Sequence, residues 1–283
     1  MKQLTNNIFK ILIEIFIFDR KQRSILKARW AKKHLAKYLE VPPSVLTEKT
    51  LDIEAHSEDD PALQNKSVVE QLSSDNSYLP LWQYWHQGKE NAPDLIKKCF
   101  ESVQKFEGDK KIVVLSFDTV KDYVDIPQKF YDLVNSKKIP IAIFSDIVRL
   151  YLLEKFGGMW IDSTILLTDK IPQEVWDSDF CVFQKDPKTD MQENRMSCYF
   201  IRAKKGSINL RAIKQTLENY WSENDFLINY FMFEHVSTML SVKEECKEEW
   251  EKMPYLDAEK AGMKQKGIEI EYFAHKLTYK KQK

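Results

Sequence analysis

The chain has 283 residues, of which 43% are hydrophobic and 12% aromatic, enough to bury one large core or two small ones. Basic and acidic residues are equal in number, at 43 each, so the net charge gives no argument for a nucleic-acid partner. The four cysteines fit no zinc or redox motif and indicate free thiols in a reducing compartment, which predicts a cytoplasmic protein.

The first predicted element is an apolar run, Ile8–Phe18, interrupted by Lys10 and Glu14. It is shorter than the roughly 20 apolar residues that cross a bilayer, and it lacks the small-residue cleavage site of a secretory signal. A segment without acids follows, and its basic residues are Arg20, Lys21, Arg23, Lys27, Arg29, Lys32, Lys33 and Lys37. This pairing is typical of a protein lying on an anionic membrane surface. The alternative is an amphipathic helix that packs on the rest of the protein with its charges facing water.

Changes in composition divide the chain into three predicted segments. Residues 1–40 form the helices expected to associate with the inner face of the plasma membrane, and Pro42 and Pro43 end them. Residues 41–77 are polar and acidic and predict a linker with one short helix around Val68–Leu72. Residues 78–283 are predicted to form the main domain.

Strand and helix patterns alternate through the main domain. Runs rich in β-branched and aromatic residues predict strands at Leu79–Trp85, Lys111–Phe117, Met159–Ile161, Phe180–Gln184 and Cys198–Arg202. Helices are predicted over Asn91–Phe106, after Pro127, from Pro140 to Phe156, over Ser207–Tyr220, and over Phe226–Leu240 with Asp225 as the N-cap. The alternation predicts an α/β fold with a mostly parallel sheet. Ligands of such sheets bind at the carboxyl ends of the strands.

One predicted helix, IPIAIFSDIVRLYLLEKF, is apolar nearly all round and is therefore expected to be buried, yet it contains Ser145, Asp146 and Arg149. A Gly pair and a short strand follow, and the strand ends at Asp162. Buried charges are costly unless they are paired. Asp146 and Arg149 could simply satisfy each other at i,i+3, and Asp162 could cap a turn. Together, the three charges favour a ligand site over an accident.

Three ordered motifs resemble a known family. FSDIVRLYLLEKFGGMWIDST (residues 144–164), LPLWQYWHQGKENAP (79–93) and HKLTYK (275–280) resemble the capsular polysaccharide synthesis proteins, relatives of the sugar transferases with a DXD sugar-binding region. The resemblance implies a GT-A type, Rossmann-like domain over residues 78–283 and a nucleotide-sugar donor, taken as a UDP-sugar. It also implies transfer with retention to a growing, lipid-linked bacterial capsular or cell-surface polysaccharide.

The resemblance also assigns roles by position. Trp82 would stack on the donor base, although packing in the core is the alternative for any tryptophan. Asp146, with Ser145 beside it, would bind donor sugar hydroxyls, and Arg149 would reach the sugar or its phosphate. Asp162 matches the first acid of DXD, which serves the ribose and a metal ion.

The third DXD position departs from the pattern, because it is Thr164, a neutral and weaker ligand for Mn²⁺ or Mg²⁺. His275, which follows the strand-like run Gly267–Ala274, is predicted to complete a metal site with Asp162 and Thr164. Lys276 would then neutralise a diphosphate oxygen. The alternative for His275 is a surface residue near a solvated, lysine-rich tail.

Two rival functions stay open at this point. The protein could be a non-catalytic, membrane-attached partner in polysaccharide assembly that kept a degenerate transferase fold, as the threonine at position 164 permits. It could also be another enzyme, such as a nucleotidyltransferase or a glycosidase, although a glycosidase needs two opposed carboxylates and no phosphate-binding groups.

Overall fold

The computed structural model describes residues 2–17, 19–43, 79–263, 267 and 271–279. Nearly all of the predicted linker, with the short helix predicted around Val68–Leu72, lies outside the described residues. The chain begins with two helices, α1 (Lys2–Phe16) and α2 (Arg20–Leu35). Asp19 caps α2, since its carboxylate accepts a hydrogen bond from the backbone N–H of Gln22 at 2.6 Å.

A six-stranded sheet carries the core, with the strand order β2–β1–β3–β6–β5–β7. Its strands are β1 (Leu81–Tyr84), β2 (Ile112–Leu115), β3 (Gly158–Ile161), β5 (Phe180–Gln184), β6 (Met196–Ala203) and β7 (Leu256–Asp257). The pairs β1–β2, β1–β3 and β5–β7 are parallel, and β6 runs antiparallel to both of its neighbours. A separate antiparallel pair joins β4 (Ile165–Leu167) to β8 (Ala274–Lys276). The predicted α/β fold with a mostly parallel sheet is confirmed.

The remaining described α-helices connect and cover the strands. They are α3 (Asp94–Glu107), α4 (Gln128–Asn135), α5 (Ile141–Phe156), α6 (Gln173–Asp177), α7 (Ile208–Glu223), α8 (Met232–Leu240), α9 (Glu244–Lys252) and α10 (Ala258–Met263). Pro93, Pro127 and Pro140 stand at the N-caps of α3, α4 and α5, as the prolines in the sequence predict.

The predicted helix Phe226–Leu240 is wrong in its first half, because α8 begins only at Met232. The Asn229 side chain accepts a hydrogen bond from the backbone N–H of Phe231 at 2.8 Å, a local turn that competes with helix formation. Asp225 is therefore not the N-cap of this helix, and it forms an ion pair with Lys138 at 2.5 Å.

The turn between α5 and β3 sets the geometry of the site. Gly157 and Gly158 adopt positive φ angles of 69° and 96°, which glycine tolerates without a steric penalty. A Cβ atom on Gly158 would lie 2.2 Å from the carbonyl oxygen of Pro80, so only glycine lets β3 approach β1 here. The tight turn places the end of β3 beside the middle of α5.

Helix α2 belongs to the same core as the sheet. Ala31, Leu35 and Tyr38 are buried in the cluster that contains the β1 and β3 side chains, and α2 packs against α8. The predicted boundary at residue 40 therefore does not separate two cores. No helix among the described residues is both long enough and apolar enough to cross a membrane.

Candidate functional site

Several strand ends meet at one edge of the sheet. β1 and β3 are parallel, so Trp85 after β1 and Asp162 after β3 lie at their carboxyl ends. β6 runs the opposite way, and its early residues reach the same edge, where the backbone N–H of Asp162 donates to the Tyr199 carbonyl at 2.8 Å. This is the edge at which parallel α/β sheets bind ligands.

Arg149 of α5 is the centre of the site, and its side chain is only 3% exposed. Its Nη2 atom lies 3.0 Å from Asp146 Oδ1 and 3.0 Å from Asp162 Oδ1, so one guanidinium bridges two carboxylates. Nη1 donates to the Cys198 carbonyl, and the guanidinium carbon lies 4.9 Å from the centroid of the Trp160 ring. The sequence placed Asp146 and Arg149 on one helix face, and the structure brings both to Asp162.

Lys276 of β8 completes the cluster from a distant part of the chain. Its Nζ atom lies 2.7 Å from Asp162 Oδ2 and 2.6 Å from Thr164 Oγ1. The Lys276 side chain is 30% exposed and that of Asp162 is 21% exposed, so this end of the cluster is open to solvent. The Lys276 ammonium group is therefore accessible from solvent, whereas the Arg149 guanidinium is not.

The two carboxylates that share Arg149 differ in their electrostatics. Burial raises the pKa of Asp146 to about 7, since Arg149 offsets only part of that effect and Glu234 adds to it. Burial also acts on Asp162, but Lys276 and Arg149 outweigh it and hold the pKa of that carboxyl below its ordinary value. Asp162 therefore remains ionised at neutral pH, whereas Asp146 is poised between its two protonation states.

Two residues of the cluster have no counterpart in the sequence predictions. Glu234 of α8 is buried, and it accepts a hydrogen bond from the Cys198 thiol at 3.3 Å. The same thiol lies 3.9 Å from Asp146 Oδ1. Glu234 and Asp146 therefore approach Cys198 from two helices. An acid inside the apolar stretch FMFEHV was the available sequence signal for Glu234.

The prediction that Trp82 stacks on a nucleotide base is wrong. Trp82 is 0% exposed, its indole N–H donates to the Gly157 carbonyl at 3.0 Å, and its ring packs against Tyr123 and Phe156. Trp82 lies in the middle of β1, so both ring faces are covered by the core. Trp82 is therefore a core residue, which was the alternative interpretation.

Trp85, three residues further along, has the exposure that Trp82 lacks. It is half-buried at the carboxyl end of β1, and its ring meets Tyr279 edge-on at 5.8 Å. Among the described residues no atom accepts a hydrogen bond from the indole N–H of Trp85. This N–H is itself buried, so the part of Trp85 that a ligand at this edge could reach is its ring.

The predicted metal set does not assemble. Lys276 reaches Asp162, and neighbouring strand residues point to opposite faces, so the buried His275 side chain faces away from Asp162. Both Asp162 oxygens already face cationic or N–H donors, and Thr164 faces the Lys276 ammonium. Within the described residues, no three His, Cys, Asp or Glu side chains are grouped as a metal site. The residues present therefore do not fit a divalent cation in this arrangement.

Ser145 stands one residue before Asp146 on α5 and is half-buried. Among the described residues, it makes no hydrogen bond to the other side chains of the cluster. The structure therefore places Ser145 next to the site without a hydrogen bond to it.

The chain is similar to known proteins in sequence and in structure. Residues 24–283 match the family described as "Capsular polysaccharide synthesis protein". The O-glycosyltransferase PaGT of Phomopsis amygdali is 28% identical over 126 residues, which is 40% of this chain and 30% of that protein. The aligned part of this chain thus spans under a third of that relative. A solved structure titled "PaToxG Glycosyltransferase" superposes with a TM-score of 0.42 at 15% identity, over 65% of this chain and 78% of that one.

The family match has a wider extent than the motifs in the sequence suggested. It begins inside α2, well before residue 78, in agreement with the packing of α2 into the main core. It also includes each side chain of the buried cluster, from Asp146 on α5 to Lys276 on β8. Since the match covers most of the chain's length, the chain belongs to the capsular polysaccharide synthesis protein family.

Proposed function

We propose that the protein is a retaining glycosyltransferase that moves a sugar from a nucleotide-sugar, taken as a UDP-sugar, to a saccharide acceptor. The observation that carries the proposal is the buried Asp146–Arg149–Asp162 bridge, extended to solvent by Lys276. A fold needs no such cluster for stability, because apolar residues of similar volume are often at least as stable. The family match and the transferase relative support the same reaction class.

The cationic groups suit the leaving group of this reaction. When the bond between the anomeric carbon and the phosphate oxygen breaks, its electrons stay on the nucleoside diphosphate. Lys276, partly exposed beside Asp162, is the cation that can neutralise that new charge. Arg149 lies deeper and offers a planar donor toward the sugar or its phosphate.

The acids suit the sugar. As the leaving group departs, the ring gains positive, oxocarbenium-like charge, which a nearby carboxylate stabilises. Asp146 and Glu234 are the acids on the α5 and α8 sides of the cluster. For retention, the acceptor hydroxyl attacks from the face that the diphosphate leaves and forms the new glycosidic bond. Its proton passes to the departing phosphate oxygen.

Trp85 is the proposed base platform in place of Trp82. It is half-buried at the ligand edge of β1, where its ring meets Tyr279 edge-on. Base–aromatic stacking contributes roughly 1–3 kcal/mol and needs only one free π-face.

The divalent cation expected from the sequence stays a prediction. In the described arrangement the Lys276 ammonium lies between Asp162 and Thr164, where a cation would have to bind. No step above depends on a metal ion.

A lipid-linked acceptor and a membrane surface are the remaining parts of the proposal. One face of α1 exposes an apolar stripe with helical spacing, and its members are Leu4, Ile8, Ile11, Leu12 and Ile15. The opposite face packs on α2, where the Phe9 and Trp30 rings stack at 4.9 Å. Such a helix is suited to lie in a membrane interface beside a lipid-carried acceptor.

The basic segment supports this part less than its sequence suggests. Many of its side chains already contact the protein: Arg23 and Lys27 meet Glu14, Arg29 meets Glu193, Lys32 meets the Gln192 and Glu193 carbonyls, and Lys37 meets Glu223. Arg20, Lys21 and Lys33 are exposed and make no ion pair within the described part of the chain. The apolar stripe is therefore the main support for membrane contact.

Slow hydrolysis of a panel of UDP-sugars by the full-length protein tests the proposal. We expect one donor to be hydrolysed and Asp162→Ala and Asp146→Ala each to lower the rate by about 10²-fold or more while folding is retained. Asp177→Ala, an exposed acid at the end of α6, is the matched control and should keep the wild-type rate. Donor binding without hydrolysis would indicate the non-catalytic partner instead, and wild-type rates in both site variants would overturn the assignment.

A further inference from the structure

Two adjoining cavities lie between the N-terminal helices and the segment before α8. The first has a volume of about 240 Å³, and the second about 170 Å³. The first is lined chiefly by Phe9, Lys10, Lys27, Trp30, Tyr230 and Phe231. Trp30 and Ile228 line both cavities, so the two are neighbours, and together they are called the groove.

The first cavity is lined by a cation, Lys10, for which the described part of the chain provides no acidic partner. Lys10 of α1 is half-buried, and burial together with the nearby Lys27 lowers its pKa. Lys27 pairs with Glu14, but no acid among the described residues lies within ion-pair distance of Lys10. A desolvated ammonium beside a second cation is stabilised by an incoming anion.

The second cavity has a different character. Its walls are mostly the rings of Tyr38, Tyr220 and Phe226, next to the shared Trp30. Lys37 also lines it, but this cation is paired with Glu223 at 3.8 Å. The groove is therefore cationic and aromatic at one end and largely apolar at the other. A ligand that fills both ends carries an anionic group joined to an apolar chain.

The cationic end adjoins the candidate donor site. Tyr230 lines the first cavity, and burial, with the charges of Asp146 and Asp162, raises the pKa of its hydroxyl to about 12. Phe231 lines the same cavity, and the ring centroid of Phe233, two residues further along, lies 5.8 Å from the Arg149 guanidinium carbon. Tyr230 is also one of the large side chains left exposed.

We propose that this groove is the acceptor subsite, and that it binds the phosphate of a lipid-linked saccharide at Lys10 with the first part of its apolar chain in the second cavity. The proposal rests on the proposed function, because it names the substrate that receives the sugar. The helix that lines the groove with Phe9 and Lys10 also carries the exposed apolar stripe on its other face. A membrane that contacts this stripe would hold the rest of a long lipid chain near the groove.

Calorimetric titration of the full-length protein with farnesyl diphosphate, farnesol and inorganic pyrophosphate tests the subsite. Lys10→Gln removes the cation, Lys33→Gln is the matched control on an exposed site of α2, and Lys276→Ala removes the donor-site cation. We expect Lys10→Gln to weaken binding of farnesyl diphosphate about tenfold or more, because a charge-assisted hydrogen bond is lost. The two other variants should bind farnesyl diphosphate as the wild type does, and farnesol should bind weakly to all.

The remaining outcomes overturn the subsite. Loss of farnesyl diphosphate binding in Lys276→Ala but not in Lys10→Gln would place the diphosphate in the donor site. Equal binding of farnesol and farnesyl diphosphate would exclude recognition of the anion. Weakened binding of phosphatidylglycerol vesicles by Lys10→Gln, with farnesyl diphosphate unaffected, would assign Lys10 to a lipid headgroup at the membrane surface.

The test separates this proposal from the one on which it rests. UDP-sugar hydrolysis needs no acceptor, so Lys10→Gln should hydrolyse the donor at the wild-type rate. Absence of hydrolysis by the wild type would remove the proposed transferase, whereas the titration would still show whether the groove binds a prenyl diphosphate.

Discussion

Two regions of the molecule combine apolar and charged residues in opposite ways. In the α5–β3 region, Asp146 and Arg149 are buried within an apolar helix and meet Asp162. In the α1–α2 region, large aliphatic residues such as Ile8 and Ile11 face solvent while several basic residues pair with acids. Both arrangements cost stability, since charges prefer water and aliphatic groups avoid it. Because both are costly, each of the two arrangements is expected to serve a function.

The largest change in stability should come from removing Arg149, the charge that joins the two acids of the buried region. Arg149→Met leaves Asp146 and Asp162 without their shared partner, and breaking a buried pair in this way costs roughly 3–5 kcal/mol. We expect urea unfolding to show a loss of that size in the free energy of unfolding. The double variant Arg149→Met with Asp146→Leu should recover much of it, because the uncompensated acid is also removed. A single variant as stable as wild type would show that the bridge does not hold α5 to β3.

Replacing Lys276 and removing metal ions are two separate tests of what stabilises the leaving group in this region. Lys276→Ala should lower donor hydrolysis about 10²-fold, because the exposed cation next to the leaving group is lost. The wild type in excess chelator should keep its rate within about twofold, since the ammonium already lies where a cation would bind. Metal titration of both proteins measures this. A wild-type rate abolished by chelator and restored by Mn²⁺ would reinstate the metal predicted from the sequence.

The buried carboxylates make the stability of the fold depend on pH, and the direction of that dependence can be measured. Burial raises the pKa of Asp146 from 3.8 to about 7, so the folded protein holds this proton more tightly than the unfolded chain. The resulting stability is fully present below about pH 4 and is lost as pH rises through about 7. Asp162 has the opposite sign, because its pKa is lowered and its contribution is lost as pH falls. We expect thermal unfolding of Asp146→Asn to depend less on pH between about 5 and 8 than that of the wild type. Identical pH profiles for the two proteins would contradict the raised pKa of Asp146.

The exposed region should show the smallest effect on stability. Ile8→Ser combined with Ile11→Ser should change the free energy of unfolding by less than about 0.5 kcal/mol per site, as expected for surface positions. The same variant should sediment less with phosphatidylglycerol vesicles than the wild type, because apolar contact with the interface is reduced. Ile13→Ser, on the buried face of α1, is the matched control and should destabilise the fold. Unchanged sedimentation of the exposed-face variant would remove the stripe from the membrane proposal.

The comparison also explains why one region was easier to predict from sequence. The buried charges of α5 stand out because an apolar helix leaves few places for them, and the i,i+3 spacing puts Asp146 and Arg149 on one face. The basic residues after α1 predict only a cationic helix. Their partners Glu193 and Glu223 are far away in sequence, so the pairing could not be foreseen.

Patterns within a few residues of sequence were enough to predict the local features of the fold. Prolines at 93, 127 and 140 predicted where helices begin, β-branched runs predicted the strands, and the Gly pair predicted the turn that carries Asp162 back to α5. These signals depend on backbone conformations within a few residues. The α/β class followed from their order along the chain.

Which side chains share the site depends on long-range packing. Lys276 reaches Asp162 across 114 residues, and Glu234 reaches Cys198 across 36, which no local pattern encodes. The other members of the site depend on which face of its strand each side chain occupies. Alternation turns Lys276 toward Asp162 and His275 away, and the depth of β1 in the sheet buries Trp82 while Trp85 stays at the edge. Sequence spacing shows that strand neighbours face opposite sides, and only packing shows which side holds the site.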